Sequence, residues 1–246
     1  NNVGALGGVM YGPVALMSAT LSFTTVVGEQ NVGGVFGHTS DFVTASHVQV
    51  AFTNLHSNDT SGDGRVGGVI GWATTERVSL NDVAVGFLGI TAATTKVGGI
   101  VGWATDGISI SNFVVQAAEI NANAYAGGVI GYTTNGITAD QGMLRDLEIT
   151  TTLGYAGGFA GFSVNTENYI SKLGMAYITV SAAGDNAAGF IAYSTVGTTL
   201  TDIDLESVRV DNTADVTQTG LNSSFVGQGT GSRNSATVIQ TNTGGL

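Results

Sequence analysis

Gly67-Gly68-Val69-Ile70-Gly71-Trp72 decides how this chain folds, because the same block returns along the sequence. It occurs upstream as Gly33-Gly34-Val35-Phe36-Gly37, and downstream as Gly98-Gly99-Ile100-Val101-Gly102 and Gly127-Gly128-Val129-Ile130-Gly131. Worn copies follow at Gly157-Gly158-Phe159-Ala160-Gly161, Ala188-Gly189-Phe190-Ile191-Ala192 and Ser223-Ser224-Phe225-Val226-Gly227, and a first copy opens at Gly7-Gly8-Val9-Met10. A step of about 30 residues lies in the range where a fixed period marks a solenoid or a propeller.

A second block keeps step with the first. Leu80-Asn81-Asp82, Ile110-Ser111-Asn112, Ala139-Asp140-Gln141, Ile170-Ser171-Lys172 and Leu200-Thr201-Asp202 each precede a β-rich run. Val83, Val85, Leu88 and Ile90 are matched in the next repeat by Phe113, Val115, Ala118 and Ile120. The spacing in each run steps from two to three, which predicts a bend between two strands. With the glycine strand this makes three short strands per repeat, bounded by turn-forming residues. A propeller blade would need four antiparallel strands and roughly 40 to 50 residues. The pattern therefore predicts an all-β, parallel β-solenoid (β-helix) of about eight coils, filling residues 1–246 as a single repeat domain. Asp82, Asn112, Gln141 and Asp202 are expected to stack at one corner, where short polar side chains bond locally.

Composition narrows the function. The 246 residues carry 38 Gly, 1 Pro and 10% charged side chains, which excludes collagen and argues against disorder. A net charge of −11 with only 7 Lys+Arg repels a nucleic-acid backbone. No apolar run reaches the roughly 20 residues of a membrane-spanning helix, so membrane insertion is not expected. With 0 Cys there is no disulfide, thiolate metal site or cysteine nucleophile.

The Gly-Gly-Val-x-Gly block followed by an Ile-x-Asn block resembles the GLUG-motif repeat of bacterial surface and secreted proteins. The match is best from Val66 to Gly131 and fades after Ala187. The resemblance implies an extracellular or cell-surface address, among adhesins and the accessory regions of secreted peptidases, and names no ligand.

The glycine strand is apolar on both faces, which poses a choice. If the aromatic set fills the core, the column Val35, Val69, Ile100, Val129, Phe159, Phe190 and Phe225 faces water. If that column is inside, a ladder of Trp72, Trp103, Tyr132, Phe162 and Tyr193 faces out. Bulges at the glycines would instead turn both sets inward. An apolar strip along a whole rod exceeds what a soluble monomer usually exposes, so either ladder is a candidate interaction surface. Asn1 lies just before the first coil and Gly244-Gly245-Leu246 starts the pattern of another, so the chain reads as a piece of a longer array or a subunit that stacks head to tail.

Chemistry is thinly encoded. Asp59, Ser61 and Asp63 resemble the opening of a calcium loop, but Ile70 stands where the closing bidentate acid belongs, and a polar loop is the simpler reading. No other cofactor is expected. His38, His47 and His56 fall in one coil at spacings the repeat itself produces. Asp202, Asp204 and Glu206 alternate on one strand, as the acids of a polysaccharide-degrading β-helix would, with only Arg209 near. Thr74, Thr105, Thr134 and Thr195 form a column that an ice-binding face could use, but Ala73, Ala104, Thr133, Ser163 and Ser194 make its neighbouring rank irregular. The expected function is a non-catalytic structural subunit of an extracellular filament or surface adhesin whose partners are other copies of itself. A glycan- or ice-binding module is the alternative.

Overall fold

The computed structural model describes residues 2–59, 61–74, 77–92, 96–184, 186–195, 197–212, 226–228 and 232–233. Asn1, Thr60, the copy at Ser223-Ser224-Phe225 and the end at Gly244-Gly245-Leu246 lie outside them, as does the side chain of Leu88. The first coil consists of β1 (Asn2–Gly4), β2 (Gly7–Met10) and β3 (Val14–Gly28), and the trio repeats up to β19 (Ala187–Ala188), β20 (Ile191–Ser194) and β21 (Thr198–Asn212). Two short pieces, β22 (Val226–Gln228) and β23 (Ser232–Arg233), continue the pattern. Equivalent strands pair in parallel into three sheets, here A, B and C, that take the first, second and third strand of each coil. The fold is the predicted β-solenoid, with seven full coils and pieces of an eighth among the described residues.

The glycine block divides differently from the expected single strand. In the third coil β7 (Arg65–Gly67) belongs to sheet A and β8 (Ile70–Ala73) to sheet B, with a bend at Gly68-Val69. Across that bend Val69 and Ile70 both point inward, and each has 0% of its surface exposed. Val35, Ile100, Val129, Phe159 and Phe190 are likewise 0% exposed. This corrects the reading in which that column faces water: the bend removes the alternation that would have turned it out.

The glycines are required because backbone meets backbone at the bend. A Cβ on Gly67 would lie 2.0 Å from the Ile70 carbonyl oxygen, and one on Gly68 would lie 2.1 Å from the Gly99 carbonyl oxygen in the next coil. A Cβ on Gly71 would lie 2.8 Å from the backbone nitrogen of Val32, a sheet A residue one coil back.

Sheet C is built from 15-residue strands such as β9 (Val78–Ala92) and β12 (Ile108–Ala122). Two corners with positive φ divide them. Ser18, His47, Asp82, Asn112, Gln141, Lys172 and Asp202 form the first corner, with φ between 48° and 60°. Ala117, Asp146, Tyr177 and Ser207 form the second, where the spacing steps from two to three. Left-handed backbone is costly for L residues and cheapest for Asn and Asp, so the expected polar column is also the corner's backbone requirement. Neighbouring coils are tied there: Ser111 Oγ donates to Asn81 at 2.9 Å, and Lys172 Nζ pairs with Asp140 at 3.4 Å.

Polar side chains enter the core at several positions, and Asn168 gathers a group of them. Asn168 aligns with Thr198 at the start of a sheet C strand and is 0% exposed. Its Oδ1 accepts from the Ile137 amide at 3.0 Å and Ser163 Oγ at 2.8 Å, while its Nδ2 donates to Ser194 and Thr198. A buried amide satisfied on every side pins three coils together.

Gly98→Ala should lower stability by about 3 kcal/mol, because its Cβ would sit 2.1 Å from the Val101 carbonyl. Gly86→Ala, where the nearest atom is 3.5 Å away on the Gln116 side chain, should change stability by less than about 0.5 kcal/mol. Denaturant midpoints of the two variants test the contrast.

Candidate functional site

The half-buried outer column of sheet B is His38, Trp72, Trp103, Tyr132, Phe162 and Tyr193, held in register by the ladder pairing of their backbones. This is the second sequence alternative, with the aromatic ladder outside. The rings stack on one another along the solenoid axis. His38 and Trp72 lie 4.7 Å apart at 16°, Trp72 and Trp103 5.3 Å at 16°, Tyr132 and Phe162 4.8 Å at 7°, and Phe162 and Tyr193 4.4 Å at 8°. Trp103 meets Tyr132 edge to face at 5.6 Å.

Beside the ladder runs a second column that the sequence reading missed. Asn31, Arg65, Lys96, Tyr125 and Tyr155 are successive partners in sheet A. The signal was present: each stands two residues before the first glycine of its block. The glycine bend folds sheet A's outer residues against sheet B's. The Arg65 guanidinium lies 4.0 Å from the centre of the Trp72 ring and 4.6 Å from that of Trp103, and Lys96 Nζ lies 4.5 Å from Trp103. Tyr125 contacts Tyr132 and Phe162, and Tyr155 contacts Phe162 and Tyr193.

Arg65 is 92% buried, 8% of it being exposed, and its Nη1 donates to Asn31 while Nη2 faces the Asp63 carboxylate at 3.5 Å. Burial pulls both cations below their usual range; the Asp63 and Asp59 charges oppose this at Arg65, and at Lys96 the charge of Arg65 adds to it. Burial, with Arg65 nearby, also lowers the His38 imidazole, favouring its neutral form.

The threonine column supports the ladder. Trp72 Nε1 donates to Thr105 Oγ1 at 3.3 Å and Trp103 Nε1 to Thr134 Oγ1 at 3.4 Å, while His38 Nε2 bonds with Thr74 Oγ1 at 3.1 Å. The rank beside it lies inside: Ala73, Ala104, Thr133, Ser163 and Ser194 are all at most 2% exposed. An outward double rank of hydroxyls is therefore not present on this face.

Asp59, Ser61 and Asp63 form a turn lock. Ser61 donates to Asp59 Oδ1 from its amide at 2.8 Å and its hydroxyl at 2.6 Å, and the Asp63 amide donates to Oδ2 at 3.0 Å. The Asp63 carboxylate faces Arg65. Among the described residues no three His, Asp or Glu gather where they could hold a metal. The histidines lie apart: His38 is in the ladder, His47 is at the corner 3.6 Å from Asp82, and His56 is on sheet C. Of the alternating acids, Asp202 is a corner residue with φ 53°, and Glu206 accepts from the Tyr177 hydroxyl at 2.9 Å.

Comparison with known proteins adds one match. The family model for the curlin associated repeat matches residues 211–241, a small part of the chain that lies almost wholly outside the described residues. That match is to the curlin associated repeat and not to the GLUG-motif repeat that the glycine blocks resemble. No curated protein and no solved structure matches the chain.

Burial alone would raise the Asp59 carboxyl, but the hydrogen bonds from Ser61 and Asp63, with the charge of Arg65, outweigh it and hold the carboxyl below its usual value. Its contribution to stability is thus full above the ordinary aspartate value near ~4 and is lost as pH falls through the lower folded value. Asp59→Asn should cost about 1–2 kcal/mol at neutral pH, and the loss relative to the parent should shrink on acidification through that window. Urea titrations across pH check both the size and the slope.

Proposed function

We propose that the chain is a non-catalytic structural subunit of an extracellular filament or surface adhesin, and that it associates with copies of itself by adding coils. The observation that carries this reading is the unbroken register. In the seven coils described in full all three strands pair with their equivalents, so each coil is a template for the next. The curlin-associated match supports a structural surface role. Among the described residues the first coil pairs on one side only, and Met10, Leu16, Leu21 and Val26 there are only partly buried against the core. A strand edge that carries apolar side chains pairs readily with another such edge.

Glycan stacking on the aromatic ladder has less support. Both faces of Trp72 and of Phe162 are covered by neighbouring rings. A sugar ring stacks on an aromatic face, and these are occupied.

Electron microscopy of the purified chain at micromolar concentration tests the reading. Unbranched filaments, lost in a Leu16→Lys/Leu21→Lys variant that keeps its β circular-dichroism spectrum, are the expected result. Single short rods at all concentrations would overturn it.

A further inference from the structure

Trp72 to Tyr193 form an unbroken chain of the two most easily oxidised aromatic side chains. Trp72 and Trp103 are 5.3 Å apart, Trp103 and Tyr132 5.6 Å, Tyr132 and Tyr125 5.2 Å, Tyr125 and Tyr155 5.8 Å, and Tyr155 and Tyr193 5.3 Å. Phe162, which is hard to oxidise, interrupts the sheet B column between Tyr132 and Tyr193. Sheet A supplies its tyrosines at that gap, so Tyr125 and Tyr155 bypass the phenylalanine. No step between ring centres exceeds 5.8 Å, and the path climbs four coils, roughly 19 Å at about 4.8 Å per coil.

We propose that this ladder is a relay that carries one-electron oxidising equivalents along the solenoid from its indole end to Tyr193. A one-electron oxidant outside the chain takes an electron from Trp72 and is reduced. The indole cation radical is refilled by an electron from Trp103, and that one by Tyr132; Tyr132, Tyr125 and Tyr155 in turn each release the hydroxyl proton to water on giving up an electron and take one back when the next residue refills them. At the far end the Tyr193 phenol gives up one electron to the ladder and its hydroxyl proton to water, leaving a neutral phenoxyl radical. Electrons and protons balance with the external oxidant as the only co-reactant.

The flanking cations give the relay a direction. Arg65 lies 4.0 Å from the centre of Trp72 and 4.6 Å from that of Trp103, and Lys96 lies 4.5 Å from Trp103. A cation radical on either indole is repelled by these charges, in a half-buried setting where repulsion is weakly screened. From Tyr125 onward the sheet A column holds tyrosines, whose oxidised form is a neutral phenoxyl radical that such cations do not repel.

The absence of cysteine allows the test. Gln30→Cys, an exposed position next to Asn31, accepts a thiol-reactive ruthenium photosensitiser as the sole label. Flash oxidation with a sacrificial acceptor should give an indole radical that converts to a phenoxyl radical, and spin-trap adducts mapped by mass spectrometry should concentrate at Tyr193. Tyr125→Phe/Tyr155→Phe removes two hydroxyls without changing ring packing. It should keep the indole radical and lose most of the Tyr193 adduct, with an unchanged thermal transition. Equal Tyr193 adduct in parent and double variant, or none in the parent, would overturn the relay. Neither outcome depends on filament formation, since the labelled chain is studied at dilutions where it is monomeric.

Discussion

Close backbone contact at the glycine bend is the constraint on which the rest of the solenoid depends. The three glycines of each block do three different jobs. The first meets the carbonyl of its own coil's next strand, the second that of the coil above, and the third the sheet A backbone of the coil below. At Gly33, Gly67, Gly98, Gly127 and Gly157 an added Cβ would lie 1.9–2.1 Å from an oxygen. No rotamer relieves such a clash, because the Cβ position is fixed by the backbone. The motif is a steric requirement repeated in the second to sixth coils, while the seventh places Ala188 and Ala192 at the first and third positions. It folds sheets A and B sharply enough for Val69 and Ile70 to share the core, and for Arg65 to reach Trp72 on the outside.

This explains what the sequence could and could not disclose. Period, parallel stacking and both corners were legible, since each needs a residue type at a fixed position: glycine at the bend, Asp or Asn at a left-handed corner, and a three-residue step at the second corner. The orientation of the glycine strand was not legible. Strand alternation assumes a straight strand, and the bend at Gly68-Val69 breaks it. The ladder Trp72, Trp103, Tyr132, Phe162, Tyr193 was found as a column, but its sheet A companions were not. Their neighbourhood is created by that same bend, and nothing local in Arg65-Val66 or Tyr125-Ala126 announces a partner seven residues on. Asn168 was missed for a related reason: a polar residue in an apolar column reads as noise until its four partners are assembled from three coils.

The stacked cations of the third and fourth coils need an explanation, because two positive side chains one coil apart repel each other. Part of the compensation comes from Asp63 and Asn31, and part from the faces of Trp72 and Trp103. A cation over an indole gains about 0.5–2 kcal/mol, more as water is excluded. Arginine suits the more buried position, since its flat, weakly hydrated guanidinium can lie on a ring where an ammonium would keep its water. The Arg65 Nε nevertheless has no hydrogen-bond partner, so the site is held by ring contact more than by hydrogen bonding.

Near-identical coils carry a hazard of their own, since a coil can pair with the wrong neighbour almost as well as with the right one. The residues that depart from the repeat remove that degeneracy. Shifting the stack by one coil would place Arg65 away from Asn31, and would take Ser194 and Thr198 away from the Asn168 Nδ2 that donates to them. A buried amide donor left without an acceptor costs about 1–3 kcal/mol, whereas the repeated apolar columns would be indifferent to the shift. The regular positions thus supply cohesion and the irregular ones supply register. The aromatic column changes from indole with cations to phenol and phenyl with tyrosines, and so distinguishes the third and fourth coils from those that follow.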